Sequence, residues 1–505
     1  MTAAQRIIVN TTAQYTRTII NVCLSLYSTR LILAALGQND FGIYSVVAGV
    51  VAMLAFVTNA LVTTTQRFLS FNYGKGEMQY VSRIFSNSLL LHLLIGAGVL
   101  VVLGALGYPI VHSVLNIEDG RESAALYVYL AAVLMLTLTF ITAPYRALFI
   151  ARENIVYISI IDVLDGILRL LIAVFLTYIS SFDRLVTYSM LLVGISVFNL
   201  LAFALYAMKN FPECRHPHWS DWDRGILKEL SGFAGWTVYS SGCVIVRNQG
   251  IAVLINIFCS TIANAAYGIA QQVSGAVAFI SASIINAINP QIMSAEGQGN
   301  RKHMIQLAEY ESKYAFLLLS LISIPLIFEM DSILQLWLGE VPMYTVSFCQ
   351  LMLLAAVFDQ LTIGLTSANQ AIGKIKVYTL WFYSFKLITI LGIWLCLQSG
   401  VPVAASLWCY VIIELLGSVM RMILMKHQAD IAIYPFVKHV CYRVIMPFVS
   451  MSLTSYLCSR YLDISYRFLF TLVMTVLVGG VMIWLTSLDS SEKQYIHDFI
   501  HRNRK

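Results

Sequence analysis

Charged residues are scarce in this chain, and their scarcity excludes most classes of soluble protein. Only 11% of the 505 residues are Asp, Glu, Lys or Arg, whereas 59% are hydrophobic, and the mean hydropathy is +0.76. A soluble domain carries about 25% charged residues. Apolar runs of about 20 residues recur along the whole length, and each is long enough to cross a bilayer as a helix. The sequence therefore predicts an all-α polytopic membrane protein.

Cysteine patterns and phosphate-binding loops are also missing. The nine cysteines show no Cys-x-x-Cys spacing, and Cys214-x-His216-x-His218 has no second set of ligands nearby in the sequence. We therefore expect neither a metal nor a cofactor. The chain has no GxxxxGK[ST] motif, so an ATP-driven pump would need a partner subunit to supply it.

The predicted outer loops are short, the longest being about 109–123 and 329–344. A membrane enzyme of glycan assembly stays open as an alternative, but it would need exposed acid and base residues on such a loop. The acidic residues there are scattered: Glu118, Asp119, Asp331 and Glu340. We expect no enzymatic activity.

Apolar runs and polar breaks predict about fourteen spans. Their limits are 8–36, 42–71, 84–108, 124–149, 155–178, 185–208, 229–258, 263–293, 306–328, 345–371, 377–398, 402–425, 440–459 and 466–487. Most of the 32 Lys and Arg residues fall in alternate loops, which predicts that both termini face the cytoplasm. The net charge of +6 then belongs to the inner face, and no nucleic-acid partner is expected. Because Arg17 interrupts the first apolar run, we expect no removable signal peptide.

An internal similarity predicts two lobes. Gly42 and Gly49 match Gly268 and Gly275 at a constant offset of 226 residues. Both stretches lead to a Gly-x-Gly, and a chance match of common small residues is the alternative reading. The predicted organisation is an N-terminal lobe at 1–208, an inner loop at 209–228, a C-terminal lobe at 229–425, accessory spans at 426–487 and a cytoplasmic tail at 488–505.

Basic residues inside the predicted spans are the strongest functional signal, because a charge in a bilayer is costly and is therefore tied to function or pairing. They are Arg17, Arg30, Arg169, Arg247 and Lys386. The buried acids are Asp162, Asp165, Asp359 and Glu414, which leaves one positive charge in excess and indicates an anionic cargo. The alternative is structural pairing: Asp165 and Arg169 share a helix face, and Lys386 and Glu414 lie at similar depth.

The N-terminal sequence resembles a known family. Arg30-Leu31-Ile32-Leu33, then Leu36-Gly37-Gln38-Asn39-Asp40-Phe41-Gly42-Ile43-Tyr44, and Gln66-Arg67-Phe68-Leu69-Ser70 are similar to the polysaccharide flippases. These belong to the multidrug/oligosaccharidyl-lipid/polysaccharide exporter (MOP) superfamily, which includes MATE transporters and lipid II flippases. The resemblance covers about the first 80 residues, and beyond them it rests on the helix arrangement.

The resemblance implies two pseudo-symmetric six-helix lobes, two extra C-terminal helices and a MATE-like V-shaped cavity. It also implies export of an undecaprenyl-type lipid-linked oligosaccharide, such as a capsule, O-antigen or exopolysaccharide unit, by alternating access across the bacterial cytoplasmic membrane. Basic residues of spans 1, 2, 7 and 8 line the cavity in such flippases. By position, Arg17, Arg30 and Arg247 are the residues expected to meet the pyrophosphate. We expect a monomer surrounded by membrane lipids, with glycan-assembly enzymes as candidate partners.

A cation-coupled drug or metabolite antiporter of the MATE type is the main alternative. Members of that branch commonly place a carboxylate in span 1, whereas the polar residues here are Asn10, Gln14, Arg17, Asn21 and Arg30. Proton or sodium coupling would then fall to Asp162, Asp165, Asp359 or Glu414, with Arg169 and Lys386 as their pairing partners.

Overall fold

The computed structural model is built of helices. It describes residues 3–494 except 53, 115–116, 118–119, 179–182, 215–221, 260, 463–465 and 491, and it contains no β-strand in these ranges. The helices are α1 (Ala3–Ala52), α2 (Ala55–Lys75), α3 (Met78–Pro109), α4 (Glu122–Ala151), α5 (Ile155–Tyr178), α6 (Arg184–Asn210), α7 (Arg224–Phe258), α8 (Thr261–Gly297), α9 (Arg301–Phe328), α10 (Met330–Leu338), α11 (Thr345–Gln360), α12 (Ile363–Ile372), α13 (Ile375–Gln398), α14 (Val403–Ser406), α15 (Trp408–Ala429), α16 (Ile433–Phe436), α17 (Tyr442–Tyr461) and α18 (Arg467–Met482).

Eleven of the described helices are long and apolar enough to cross a membrane, or twelve if the bent pair α11 and α12 forms one span. The protein is therefore a multi-pass membrane protein, but the predicted count of fourteen is not confirmed. The two remaining predicted spans, 42–71 and 155–178, correspond mainly to α2 and α5. Three charged residues lie within the 24 residues of α5, and α2 is rich in Thr, Asn and Gln.

The chain divides into two compact units. The first unit comprises Met1–Ser241 with Met293–Asn300, and the second comprises Gly242–Ile292 with Arg301–Lys505. In the first, α4 lies at the centre and buries Tyr129 and Phe140. In the second, α9 and α11 form the core around Phe316 and Phe348. The lobe limits read from the sequence stay a prediction.

The helices depart from the predicted spans at three places. α1 continues past its expected end but breaks at Gly37, whose φ of 77° suits a residue without a side chain. The predicted span 345–371 is interrupted at Leu361–Thr362, where α11 and α12 meet at a bend of 46°. The loop expected at 329–344 contains the short helix α10. Prolines 144, 290, 325 and 447 lie inside helices and end none of them.

Two glycines make a reciprocal close contact within the first unit. A Cβ atom on Gly74, near the end of α2, would lie 2.0 Å from the carbonyl oxygen of Ser294. A Cβ atom on Gly297, at the end of α8, would lie 1.9 Å from the carbonyl oxygen of Phe71. The two glycines and the two carbonyls are each 223 residues apart in sequence. The matching Gly-x-Gly segments therefore cross each other backbone to backbone, an arrangement that side chains would prevent.

Candidate functional site

Arg17 lies on α1 in a shared ion cluster. Its Nη1 atom is 2.6 Å from Oδ2 of Asp162 on α5. Arg146 of α4 donates to the same carboxylate through both Nη atoms, at 2.8 and 3.0 Å. One carboxylate therefore serves two guanidinium groups, and the cluster keeps one positive charge.

An open cleft of about 400 Å³ adjoins this cluster. It is lined by Arg17, Thr18, Asn21, Val22, Ser25 and Asp162. The Asn21 amide donates to the backbone oxygen of Asp162, whereas its buried side-chain oxygen has no hydrogen-bond partner among the described residues. The Thr18 hydroxyl donates to the Gln14 backbone oxygen at 3.0 Å, which leaves the Arg17 guanidinium and the Ser25 hydroxyl as donors toward the cleft. A guanidinium group suits an anion such as phosphate.

The other two predicted basic residues of the first unit are placed differently. Arg169 donates through Nε to Asp165 on the same helix at 2.6 Å, and Asp165 also accepts from the Asn199 amide at 2.6 Å. Arg30 is exposed, and no hydrogen bond or ion pair joins it to another described residue. The structure therefore does not bring Arg30 together with Arg17 through direct contacts.

Arg247 of the second unit is deeply buried. Its side chain is 5% exposed, and Nη1 lies 2.5 Å from Oε1 of Glu414. The guanidinium also donates to the Tyr410 hydroxyl at 2.6 Å and lies over that ring. Lys386 approaches the other Glu414 oxygen at 2.9 Å. The predicted neighbours Lys386 and Glu414 are thus in contact, and Arg247 shares their carboxylate.

Asp359 extends this cluster at the break between α11 and α12. It lies 2.9 Å from Lys386 Nζ and 2.9 Å from Nη2 of Arg421 on α15. Arg421 also donates to the Asp359 backbone oxygen at 2.7 Å. That carbonyl is one that an unbroken helix would bond to the residue four positions later. A side chain therefore replaces the helical hydrogen bond lost at the break.

Sequence reasoning missed two residues of these clusters, Arg146 and Arg421. Both lie inside the predicted limits of their spans but near the inner ends, where long basic side chains usually reach the membrane surface. A signal was available for Arg421, because it stands two helical turns after Glu414 on the same face. With Arg421 included, the second-unit cluster holds three cations and two carboxylates and is not charge-balanced.

Two further clusters fix loops outside the spans. Arg121 pairs with Asp40 and Asp183, and Asp183 caps α6 by accepting from the N–H groups of Leu185 and Val186. Burial raises the pKa of Asp183, but the Val186 N–H and Arg121 outweigh this, so its pKa lies below the ordinary value. Arg152 and Tyr73 both donate to buried Glu213.

Cys214 follows Glu213 and is itself buried. Burial, reinforced by the Glu213 charge, raises the pKa of the Cys214 thiol. That disfavours the thiolate that a metal would require. The two histidines of the Cys-x-His-x-His sequence, His216 and His218, lie outside the described residues. So do Glu118, Asp119 and the end of the predicted tail.

Comparison with known proteins identifies the fold. No protein-family model matches the sequence, and no curated protein matches it. Among solved structures, a point mutant of MATE superposes with a TM-score of 0.74 at 13% identity, over 87% of this chain and 98% of that one. A MOP superfamily transporter from Pyrococcus furiosus gives 0.72 at 12% identity, over 85% and 96% of the two chains. That protein is described as having a binding pocket of reverse polarity that suggests a different function.

The MATE transporter ClbM, in complex with Rb⁺, gives a TM-score of 0.69 at 13% identity, over 86% of this chain and 96% of that one. These likenesses span nearly the full length of the solved chains. The chain therefore has the fold of the MATE transporters.

Proposed function

We propose that this protein is a transporter that carries a lipid-linked oligosaccharide from the inner to the outer leaflet of a bacterial cytoplasmic membrane by alternating access. The observation that carries the proposal is the Arg17–Asp162–Arg146 cluster beside the cleft. Two guanidinium groups share one carboxylate there, so binding an anion would complete the charge balance. A pyrophosphate offers the oxygen pairs that guanidinium groups bind bidentately.

The cluster also indicates how the anion would be held. Asp162 keeps both guanidinium groups in place and supplies the charge that they need while no cargo is bound. A phosphate entering the cleft would take over part of that role, since Ser25 adds a hydroxyl donor along the same face of α1. We propose Arg17, which lines the cleft, as the phosphate contact, with Arg146 holding Asp162 beside it. Arg30 and Arg247 keep the weaker expectation given by their positions.

The direct test is transport by purified protein in vesicles, using a fluorescent prenyl-pyrophosphate disaccharide. We expect Arg17→Ala to lower the rate about tenfold to a hundredfold, the effect of losing a charge-assisted hydrogen bond. Arg17→Lys should recover only part, because an ammonium group keeps the charge but not the paired donors. Arg6→Ala, an exposed arginine on the same helix, is the matched control. Full activity of both Arg17 variants would refute the phosphate role.

A drug or metabolite antiporter is the second candidate, and it is favoured by the fold alone. One of the similar structures is described as a multidrug resistance MATE family transporter, with a TM-score of 0.70 at 13% identity. In vesicles, this alternative predicts cation-driven export of small toxic compounds and no movement of the lipid probe. Equal lipid transport with and without a proton or sodium gradient would remove ion coupling from the first candidate.

A further inference from the structure

Glu311, on α9 of the second unit, is a buried acid that belongs to neither ion cluster. It is fully buried, with a relative exposure of 0%. Its Oε1 atom accepts a hydrogen bond of 2.7 Å from the Ser367 hydroxyl on α12. Its Oε2 atom is buried and has no hydrogen-bond partner among the described residues. Among the described residues, the neutral Ser367 hydroxyl is therefore the only hydrogen-bond donor to this carboxyl group.

The neighbouring helices offer Glu311 no free cation. α12 contains no charged residue, and the charged residues of α10 and α11 are acids. On α9 itself, Lys313 binds Glu492 at 2.6 Å. Arg301, Lys302 and His303 lie in the first turn of α9, at least eight positions before Glu311. The other basic groups on elements that pack against α9 either pair with another acid or are exposed. The paired groups are Arg443 with Asp489, His439 with Glu309 and Arg467 with Glu329, and the exposed ones are Lys438 and Arg460.

An ionised carboxylate in this setting would be an uncompensated buried charge, which costs several kcal/mol in a protein interior. The neutral acid avoids the cost of a buried charge: it accepts at Oε1 and carries its proton on Oε2, whose O–H is a neutral donor and is cheaper to leave unpaired than a charge. The remaining titratable groups of α9 near this position, Tyr310, Tyr314 and Glu309, have their own partners: Tyr310 lies beside Lys313, Tyr314 binds Glu492, and Glu309 contacts His439.

The two helices that flank Glu311 are held close together next to it. The adjacent Ser312 hydroxyl accepts from the Gly364 N–H at 2.9 Å. A Cβ atom on Gly364 would lie 1.9 Å from the Ala308 carbonyl oxygen, so the backbones of α9 and α12 are in close contact. Hydrating Glu311 would therefore require α12 to move away from α9.

We propose that Glu311 is a proton-binding site that holds α12 against α9 while it is protonated and releases it on losing the proton. α12 directly follows the helix break next to Asp359. A movement of α12 would therefore also change the position of Asp359 relative to Lys386 and Arg421. Proton binding at Glu311 does not depend on which cargo the protein carries.

Infrared spectroscopy of the full-length protein in lipid nanodiscs tests the proposal. At neutral pH, we expect a band of a protonated carboxylic acid that disappears in Glu311→Gln and persists in Glu309→Gln, a control on the same helix whose acid contacts His439. Absence of the band from the native protein, or its persistence in Glu311→Gln, would overturn the proposal.

Two further measurements keep the test decisive if Glu311→Gln fails to fold. Ser367→Ala should shift the native band to higher frequency by removing the hydrogen bond to Oε1, and an unchanged band would argue against a proton at Glu311. The equilibrium constant for unfolding of the native protein can be measured in mixed micelles. Above the pH range where Glu311 ionises in the unfolded chain, it should rise by up to tenfold per pH unit, because only the folded state keeps the proton. Unfolding that does not depend on pH in that range would contradict the proposal, whether it is seen in the native protein or in Ser367→Ala.

Discussion

The acids of the Arg17 and Arg247 ion clusters are each shared by two cations. Asp162 serves Arg17 and Arg146, and Glu414 serves Arg247 and Lys386. Because cations outnumber acids in each cluster, the acids are the residues whose loss leaves the most uncompensated charge.

This sharing predicts an asymmetry at the residue scale. Glu414→Gln should destabilise the protein by about 3–5 kcal/mol, because it leaves Arg247 buried without a carboxylate. Arg247→Met should cost less, since Glu414 keeps Lys386. Reversible unfolding in mixed micelles measures both, and the double variant should be more stable than Glu414→Gln alone. An equal cost for the two single variants would contradict the shared arrangement.

The sequence predicts contacts between charged residues of one helix, but it does not predict contacts between residues of different helices. Asp165 and Arg169 are four residues apart on one helix, so helical geometry alone places them in contact. Asp162 with Arg17 requires α1 and α5 to pack side by side, which no local pattern specifies. Nothing in the sequence marked Arg146 as a partner of Asp162, because a basic residue near a span end normally reaches water.

At the element scale, the glycine crossing between the ends of α2 and α8 gives a sharp prediction. Gly74→Ala should cost about 1–3 kcal/mol, as overpacking does in a well-packed interior, because its methyl group would meet a backbone oxygen that cannot turn aside. Gly297→Ala should cost a similar amount for the same reason.

The matched control for this prediction is Gly98→Ala on α3, where nothing lies within 4 Å of the added carbon atom. It should be neutral or slightly stabilising, since alanine favours a helix. Thermal unfolding of the three variants in the same detergent measures the difference. Equal midpoints for Gly74→Ala and Gly98→Ala would show that the crossing is not tightly packed.

Helix type was predictable from the sequence, whereas helix interruptions were not. Long apolar runs require helices in a bilayer, so the all-α class follows from composition. The break between α11 and α12 has no proline or glycine at Leu361–Thr362 and is held by Arg421 from another helix. The four prolines lie inside helices without ending them, because a membrane helix tolerates proline when its neighbours satisfy the freed carbonyl.

At the scale of the whole molecule, orientation in the membrane is the open prediction. The distribution of Lys and Arg predicts that both termini are cytoplasmic. A fluorescent protein fused after residue 505 should therefore fold and emit, and alkaline phosphatase at the same point should be inactive. A truncation fused after residue 400, in a predicted outer loop, should give the opposite pair of results. Active phosphatase at the C-terminus would reverse the assignment.

The crossing of Gly74 and Gly297 bears on how that end of the molecule can change. A contact made by long side chains can stretch, because each rotamer change preserves part of it. Here each glycine faces the other segment's main chain, and separation by the width of a methyl group would lose both contacts together. We therefore expect the two contacts to form and break together, so that the two segments separate in one step.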